Sequence, residues 1–233
     1  MFRFKQFSVD QTDCAMKINT DGVLLAALLV SETPKRIIDI GTGTGVIALM
    51  LAQRFENAAL TGIELDEKAV KTAKKNFSES SFLSRVEAYS GPFQSYFVAE
   101  QEPVDLIVSN PPFFIDALKS PNKQKEIAKH ADMSFFDDLL LAAKTFLKQS
   151  GELWLILPPD TAQKVLIAAE KFDFHLHLMI RLKSFESSQE HRHIISLSKQ
   201  KRQVHETQFV IYSGPGQYSA QYREALKDFF INF

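Results

Sequence analysis

The sequence predicts an α/β protein, a mainly parallel β-sheet with helices packed on both faces. Three observations carry this expectation. Short, near-continuous apolar runs recur between residues 36 and 158, the mark of strands buried on both faces. Between them lie segments of roughly 10–15 residues with apolar positions at helical spacing, and such alternation builds right-handed βαβ units. Beyond residue 174 the helical spacing stops and alternating strands follow one another directly, which adds an antiparallel edge.

The elements follow in order. RIIDIG (36–41) is a first strand closed by glycine, and GVIALMLAQRF (45–55) carries Val46, Ile47, Leu49, Met50 and Ala52 at helical spacing. ALTGIEL (59–65) is a strand, and DEKAVKTAKKNF (66–77) is an amphipathic helix with acids in its first turn, where the helix dipole favours them. RVEAY (85–89) and VDLIVSN (104–110) are strands, the second apolar almost throughout. A helix from Ser134 to Lys148 leads into ELWLILP (152–158). HLHLMIRLKSF (175–185), HRHIISLSK (191–199) and TQFVIYS (207–213) alternate as strands, and 219–233 closes as an amphipathic helix. Seven strands are expected in one mixed sheet. One domain spans 1–233: an N-terminal segment (1–33), a parallel core (34–174), then the antiparallel strands and last helix (175–233).

Composition narrows the classes. The 233 residues are 45% hydrophobic and 24% charged, with a formal net charge of −1, which suits one globular domain and excludes disorder. A single cysteine, Cys14, leaves no disulfide framework and no multi-thiolate zinc site. The opening MFRFKQFSVDQ lacks the apolar core of a signal peptide, and no run approaches the ~18 apolar residues of a membrane span. A cytoplasmic protein without a membrane partner is the expectation. His175 and His177, and His191 and His193, each share a strand face, but with no cysteine set beside them no metal is expected. Charge is uneven. Residues 117–130 carry Lys119, Lys123, Lys125 and Lys129, and residues 175–205 carry six Lys or Arg, among them Arg192. Such patches meet phosphates or simply face solvent.

Asp39-Ile40-Gly41-Thr42-Gly43-Thr44-Gly45 lies between the first strand and its helix. Its glycines let the backbone turn tightly against a ligand. The dinucleotide fingerprint is G-x-G-x-x-G, and Val46 stands where its third glycine belongs, which argues against a nicotinamide or flavin enzyme. Glu64 ends the second strand, where an acid accepts hydrogen bonds from ribose hydroxyls. Ser109-Asn110-Pro111-Pro112-Phe113 follows a buried strand at its carboxyl end, where open α/β sheets place ligands. An sp² amine is a poor nucleophile, because its lone pair is delocalised. A site that alkylates it accepts hydrogen bonds from both N–H groups: the Asn110 side-chain oxygen and the Pro111 carbonyl suit that task. Pro111 and Pro112 stiffen the turn, and Phe113 offers a face for stacking a flipped-out base.

The glycine loop with Glu64 resembles the cofactor site of class I S-adenosylmethionine-dependent methyltransferases, and N-P-P-F is similar to the signature of their amino-methylating members. The segment 2–29, with Phe4, Gln6, Phe7, Gln11, Met16, Lys17, Thr20-Asp21-Gly22 and an apolar helix over 23–30, resembles the opening of bacterial adenine-N6 methyltransferases that modify valine tRNA beside the anticodon. The resemblance implies a Rossmann-like class I methyltransferase fold. It implies S-adenosyl-L-methionine as cofactor, S-adenosyl-L-homocysteine as product, tRNA as partner, and a monomer. It further implies cofactor contacts at Lys17, Thr20, Asp21, Asp39, Gly41, Thr42, Gly43, Gly45, Glu64, Leu65, Phe93 and Asn110. Catalysis falls to Asn110, Pro111, Pro112 and Phe113, and RNA contacts to Lys119, Lys123, Lys125, Lys129 and Arg192. Two departures stand out: no acid follows the third strand, which reads Tyr89-Ser90-Gly91-Pro92-Phe93, and Phe113 replaces the commoner tyrosine. The turn alone does not separate adenine from a guanine N2 amine in rRNA or a glutamine amide of a translation factor. A non-catalytic RNA-binding protein on this fold is a further alternative, against which the intact glycine loop and Asn110 speak.

Overall fold

The computed structural model of the protein describes residues 1–12, 17–99, 102–111 and 123–233, the stretch 123–132 by its backbone alone. A small ribbon, β1 (Phe2–Arg3) with β2 (Ser8–Val9), opens the chain and is followed by α1 (Thr20–Leu28). The core then alternates β3 (Arg36–Ile40), α2 (Val46–Arg54), β4 (Ala59–Glu64), α3 (Glu67–Ser78), β5 (Val86–Ser90), α4 (Phe93–Ala99), β6 (Val104–Ser109), α5 (Lys123–Phe146), β7 (Leu147–Leu157) and α6 (Pro159–Glu170). Next come β8 (His175–Lys183), β9 (Glu190–Ser198), β10 (His205–Val210), a short ribbon of β11 (Tyr212–Gly214) with β12 (Gln217–Tyr218), and α7 (Ala220–Leu226).

The main sheet has the order β10-β8-β9-β7-β6-β3-β4-β5. Its strands are parallel except β9, which is antiparallel to both neighbours. The sheet therefore has eight strands where seven are expected. The eighth is β10, which adds parallel to β8, because β9 ends beside the start of β8 and the chain passes that end within residues 199–204 before pairing along the outer edge. The crossover through α6 lays β8 one place away from β7, and the β8–β9 hairpin fills the gap.

Successive residues of the central strands go to opposite layers, as a sheet covered on both sides requires. Ile37, Leu106, Val108 and Trp154 pack with α1, α2, α3 and α7. Ile38, Ile107, Leu153 and Leu155 pack with α4, α5 and α6. Helix α6 has no counterpart in the apolar pattern of the sequence: its buried side is Ala162, Val165, Ala168 and Ala169, small residues with little contrast to their neighbours. Helix α5 begins at Lys123 and β7 at Leu147, both earlier than their apolar residues indicate.

Candidate active site

The site lies at the carboxyl ends of β3, β4 and β6. There β3 has β4 on one side and β6 on the other, the switch point at which open α/β sheets bind ligands. Ile40 is in register with Ser109, and the Ser109 hydroxyl donates to the Ile40 carbonyl at 2.7 Å. The glycine loop and the Asn-Pro turn thus leave adjacent strands at one level.

Gly41, Gly43 and Gly45 have φ of 73°, 55° and 83°, a region that L side chains rarely adopt. The amides of Gly41 and Thr42 donate to the Ile63 carbonyl at 2.8 and 3.1 Å, which folds the loop over the end of β4. The Thr42 hydroxyl donates to Asp39 Oδ2 at 2.6 Å and is itself buried against Gly62, where a Cβ would lie 2.7 Å from Thr42 Oγ1. Burial pushes the Asp39 carboxyl up to about 7; the Glu64 charge adds to this, and the Thr42 hydroxyl and Ala48 amide oppose it. A Cβ added at Gly41 or Gly43 would meet nothing within 4 Å, so both face open space.

Glu64 is held over that space by three backbone amides. Its Oε2 accepts from Gly43 at 3.0 Å, and its Oε1 accepts from Leu65 at 2.8 Å and Asp66 at 3.0 Å. Leu65 contributes through its amide, since its side chain is 70% exposed. Behind the loop, Asn76 of α3 is 1% exposed and ties two segments together. Its amide nitrogen donates to the carbonyls of Thr44 (2.8 Å) and Asp10 (3.0 Å), while its oxygen accepts from the Asp10 amide at 2.8 Å. The segment before α1 is thereby fastened to the glycine loop. Gln11 closes the same segment by accepting from the Ile18 amide at 2.8 Å.

Asn110 is 9% exposed, and its side-chain oxygen has no hydrogen-bond partner. Its orientation has a local cause. Asn19 is the N-cap of α1, and its Oδ1 accepts from the Gly22 amide at 2.9 Å, so that oxygen is an acceptor toward its other neighbour too. Asn110 therefore turns its Nδ2 to Asn19, at 3.5 Å, and leaves Oδ1 free. Asn110 opens into a cavity of about 410 Å³ that Asn19, Thr20, Asp21, His191 and Arg192 also line. Arg192 Nε donates to Asp21 Oδ2 at 2.6 Å across this cavity, and burial with the adjacent guanidinium lowers the His191 pKa.

The structure thus gathers Thr20, Asp21, Arg192 and Asn110 around one cavity, with Asp39, Gly41, Thr42, Gly43, Gly45, Glu64 and Leu65 around the adjacent loop. Pro111 is buried at the start of the turn, and Lys17 is exposed. Phe93 opens α4 buried in the core, its ring edge-on to Phe135 at 5.7 Å. Arg192 faces Asp21 rather than an open surface, and the second basic stretch is largely paired: Arg181 with Glu190 and Glu206, Arg202 with Glu152. Met16, Pro112, Phe113 and Lys119 lie outside the described residues; Lys123, Lys125 and Lys129 lie on the backbone of α5. Among the described residues no three His, Cys, Asp or Glu are grouped to hold a metal, and no helix is long and apolar enough to cross a membrane. Sequence reasoning misses Asn19 and Asn76. An Asn before Thr-Asp-Gly and an apolar run is an N-cap signal, and Asn76 interrupts the apolar stripe of Ala73 and Phe77.

The methyltransferase small domain family matches residues 6–176. The tRNA1(Val) (adenine(37)-N6)-methyltransferase of Pedobacter heparinus is 43% identical over 232 residues, covering 100% of this chain and 98% of that protein. The protein of the same name from Bacteroides thetaiotaomicron is 34% identical over 232 residues, covering 99% and 97%. Among solved structures, a predicted O-methyltransferase of Agrobacterium tumefaciens aligns with a TM-score of 0.69 at 17% identity, covering 90% of this chain and 96% of that one. The ribosomal protein L11 methylase of Lactobacillus delbrueckii aligns at 0.59 and 14%, covering 83% and 84%. At those identities the structures speak for the fold alone, and it is the class I methyltransferase fold. With a matching family across most of its length and relatives that align end to end, the chain belongs to the methyltransferase small domain family and, within it, to the tRNA1(Val) (adenine(37)-N6)-methyltransferases.

Proposed function

We propose that this chain methylates the exocyclic N6 amine of an adenosine in tRNA, the valine tRNA position for which its relatives are named, with S-adenosylmethionine as donor and as a monomer in the cytoplasm. One observation carries the reading: the buried, unpartnered Oδ1 of Asn110, a residue whose amide nitrogen turns to Asn19 and which lines a cavity at the end of the strand next to the glycine loop's own.

The cofactor suits the residues present. Gly41 and Gly43 face open space that a side chain would fill, Glu64 lies at its edge with its carboxylate held in place, and Asp39 and Thr42 brace the loop from below. When bound, S-adenosylmethionine supplies a methyl group on a positively charged sulfur. Lys17, Thr20, Asp21, Phe93 and the glycine loop are the remaining candidates for holding it. The protein's own task is orientation. Asn110 Oδ1 accepts one N–H of the amine and the Pro111 carbonyl the other, so the lone pair is turned toward the cofactor side. Asn110 is oriented beforehand by its contact with Asn19, so little reorganisation is needed there as positive charge develops on the nitrogen. Phe113 supplies the stacking face, Pro112 stiffens the turn, and Lys119, Lys123, Lys125 and Lys129 take phosphates near the flipped nucleotide.

Asn110→Ala tests the reading. Removing one preorganised hydrogen-bonding group from a site of this kind costs about 100-fold or more in kcat. Cofactor affinity, read by calorimetry, falls far less than kcat, because Asn110 is one of many implied cofactor contacts and the glycine loop and Glu64 remain. Parallel loss of cofactor binding would overturn the role assigned to Asn110.

A further inference from the structure

A second cavity, of about 530 Å³, adjoins the one that holds Asn110, and Asn19 and Thr20 line both. Its other walls come from the two ends of the chain: Phe2, Tyr218, Tyr222, Phe230 and Phe233, with the exposed Arg3. Its volume lies within the range of small-ligand sites, roughly 300–1,000 Å³. The ends are tied together beneath it, since Phe4 bridges Phe230 and Lys5 Nζ donates to the Phe233 carbonyl at 3.0 Å.

The aromatic walls are ordered. Tyr218 stacks on the buried Tyr222 with ring centroids 4.4 Å apart and planes 9° from parallel. On Tyr212, which lines the Asn110 cavity, it stacks at 5.3 Å and 20°. Phe233 meets both Tyr218 and Tyr222 edge-on. Phe2, Tyr218, Phe230 and Phe233 nevertheless remain half-buried, so their rings border the cavity rather than fill a sealed core. Tyr222 and Tyr212 stack on Tyr218, so the row turns ring edges to the cavity, and rings already held in one orientation meet a planar ligand edge-on with little loss of side-chain entropy.

We propose that this cavity receives an unpaired nucleobase next to the target adenosine in the same RNA strand, held edge-on to the tyrosine row, with Arg3 near its phosphate. The proposal rests on the RNA-methylating reading above. Three features favour this occupant: the wall shared with the Asn110 cavity, the flat aromatic lining, and the cation. Contact between a base and aromatic rings is tolerant of sequence and strong enough to hold a neighbouring nucleotide aside while the adenosine enters its own cavity.

The test uses the full chain and an RNA stem-loop that it methylates, carrying 2-aminopurine in turn at the nucleotide 5′ or 3′ of the target. Leaving the RNA stack for an aromatic cavity changes the fluorescence of this base. The expected result is a change at one of the two positions, kept by Tyr218→Phe and lost by Tyr218→Ala. Tyr218→Ala raises KM about ten-fold, in line with the loss of one base–aromatic contact, and leaves kcat within about two-fold. An abasic residue at the responding position raises KM similarly for the unsubstituted chain and adds nothing to Tyr218→Ala. Phe233→Ala reproduces the loss at a chain end if Tyr218→Ala proves poorly folded. Fluorescence and KM that do not depend on Tyr218 or Phe233, with methyl transfer intact, overturn the proposal and leave the function standing. A dimer that Tyr218→Ala dissociates also overturns it, because a second copy is then the occupant. Failure of the unsubstituted chain to bind or methylate any RNA overturns the functional reading itself, and this proposal with it.

Discussion

Gly45→Ala separates two kinds of glycine in one loop. Gly45 has a φ of 83°, and a Cβ placed on it would lie 2.3 Å from Phe77 Cε1 and 2.8 Å from Cζ. Phe77 is 3% exposed within the core between α2, α3 and the sheet, so its ring has nowhere to swing. The left-handed backbone costs an L residue about 1–2 kcal/mol. Overpacking a filled core adds about 1–3 kcal/mol, so the substitution costs about 2–5 kcal/mol in all. Gly43 has a φ of 55° but open space where a Cβ would go, so Gly43→Ala costs only the backbone share, about 1–2 kcal/mol. The same methyl stands in the space assigned to the cofactor, and Gly43→Ala should therefore lose cofactor affinity more than stability. Urea unfolding followed by the fluorescence of the single, buried Trp154 reads the first quantity, and calorimetric titration with S-adenosylmethionine reads the second. Phe77→Leu in the Gly45→Ala chain should recover part of the loss, which a double-mutant cycle isolates. Equal stability losses at Gly43 and Gly45, with no coupling to Phe77, would refute the packing argument.

Three further outcomes are expected. Asp39 titrates near 7 when folded and near the ordinary carboxylate value when unfolded, so between those pH values the folded chain binds the extra proton and its stability falls as pH rises. Asp39→Asn removes that proton uptake and gains about 2 kcal/mol relative to the parent between pH 5 and 8; urea midpoints at both pH values check this, and a flat difference contradicts it. Asn76→Ala leaves the Thr44 carbonyl and both Asp10 backbone groups without their partner, a cost of about 2–4 kcal/mol. Amide exchange should quicken at Ser8–Thr12 and in the glycine loop, and unchanged exchange there would contradict the brace. Lys119→Ala with Lys123→Ala should weaken tRNA binding and reduce its log–log salt slope by about 1–2, whereas an unchanged slope moves the phosphate contacts elsewhere.

The strands were legible in the sequence wherever both faces are apolar, as in Ile37-Ile38 and Leu106-Ile107-Val108, because burial on two sides leaves a continuous run. Helix α6 was not, since alanines that pack closely against a sheet look no different from solvent-facing ones. The lysine-rich first half of α5 shows no apolar period. The placement of β10 was hidden for another reason: strand order depends on the route of the chain between edges, not on the composition of HETQFV. At the site, the glycine loop, Glu64 and Asn110 were readable as residue types in a strand–turn context. What sets their geometry was not, because it is made by partners far apart along the chain. Asn19 is 91 residues from Asn110, and Asp21 is 171 from Arg192. No local pattern announces a pair at such a separation.

Incubation with isotope-labelled S-adenosylmethionine and unmodified tRNA, followed by nucleoside digestion and mass spectrometry, tests the central claim most directly. The account predicts label in N6-methyladenosine, absent with Asn110→Ala. No label in tRNA adenosine, with label instead in N2-methylguanosine when rRNA is supplied or in a glutamine when a protein acceptor is supplied, would contradict it.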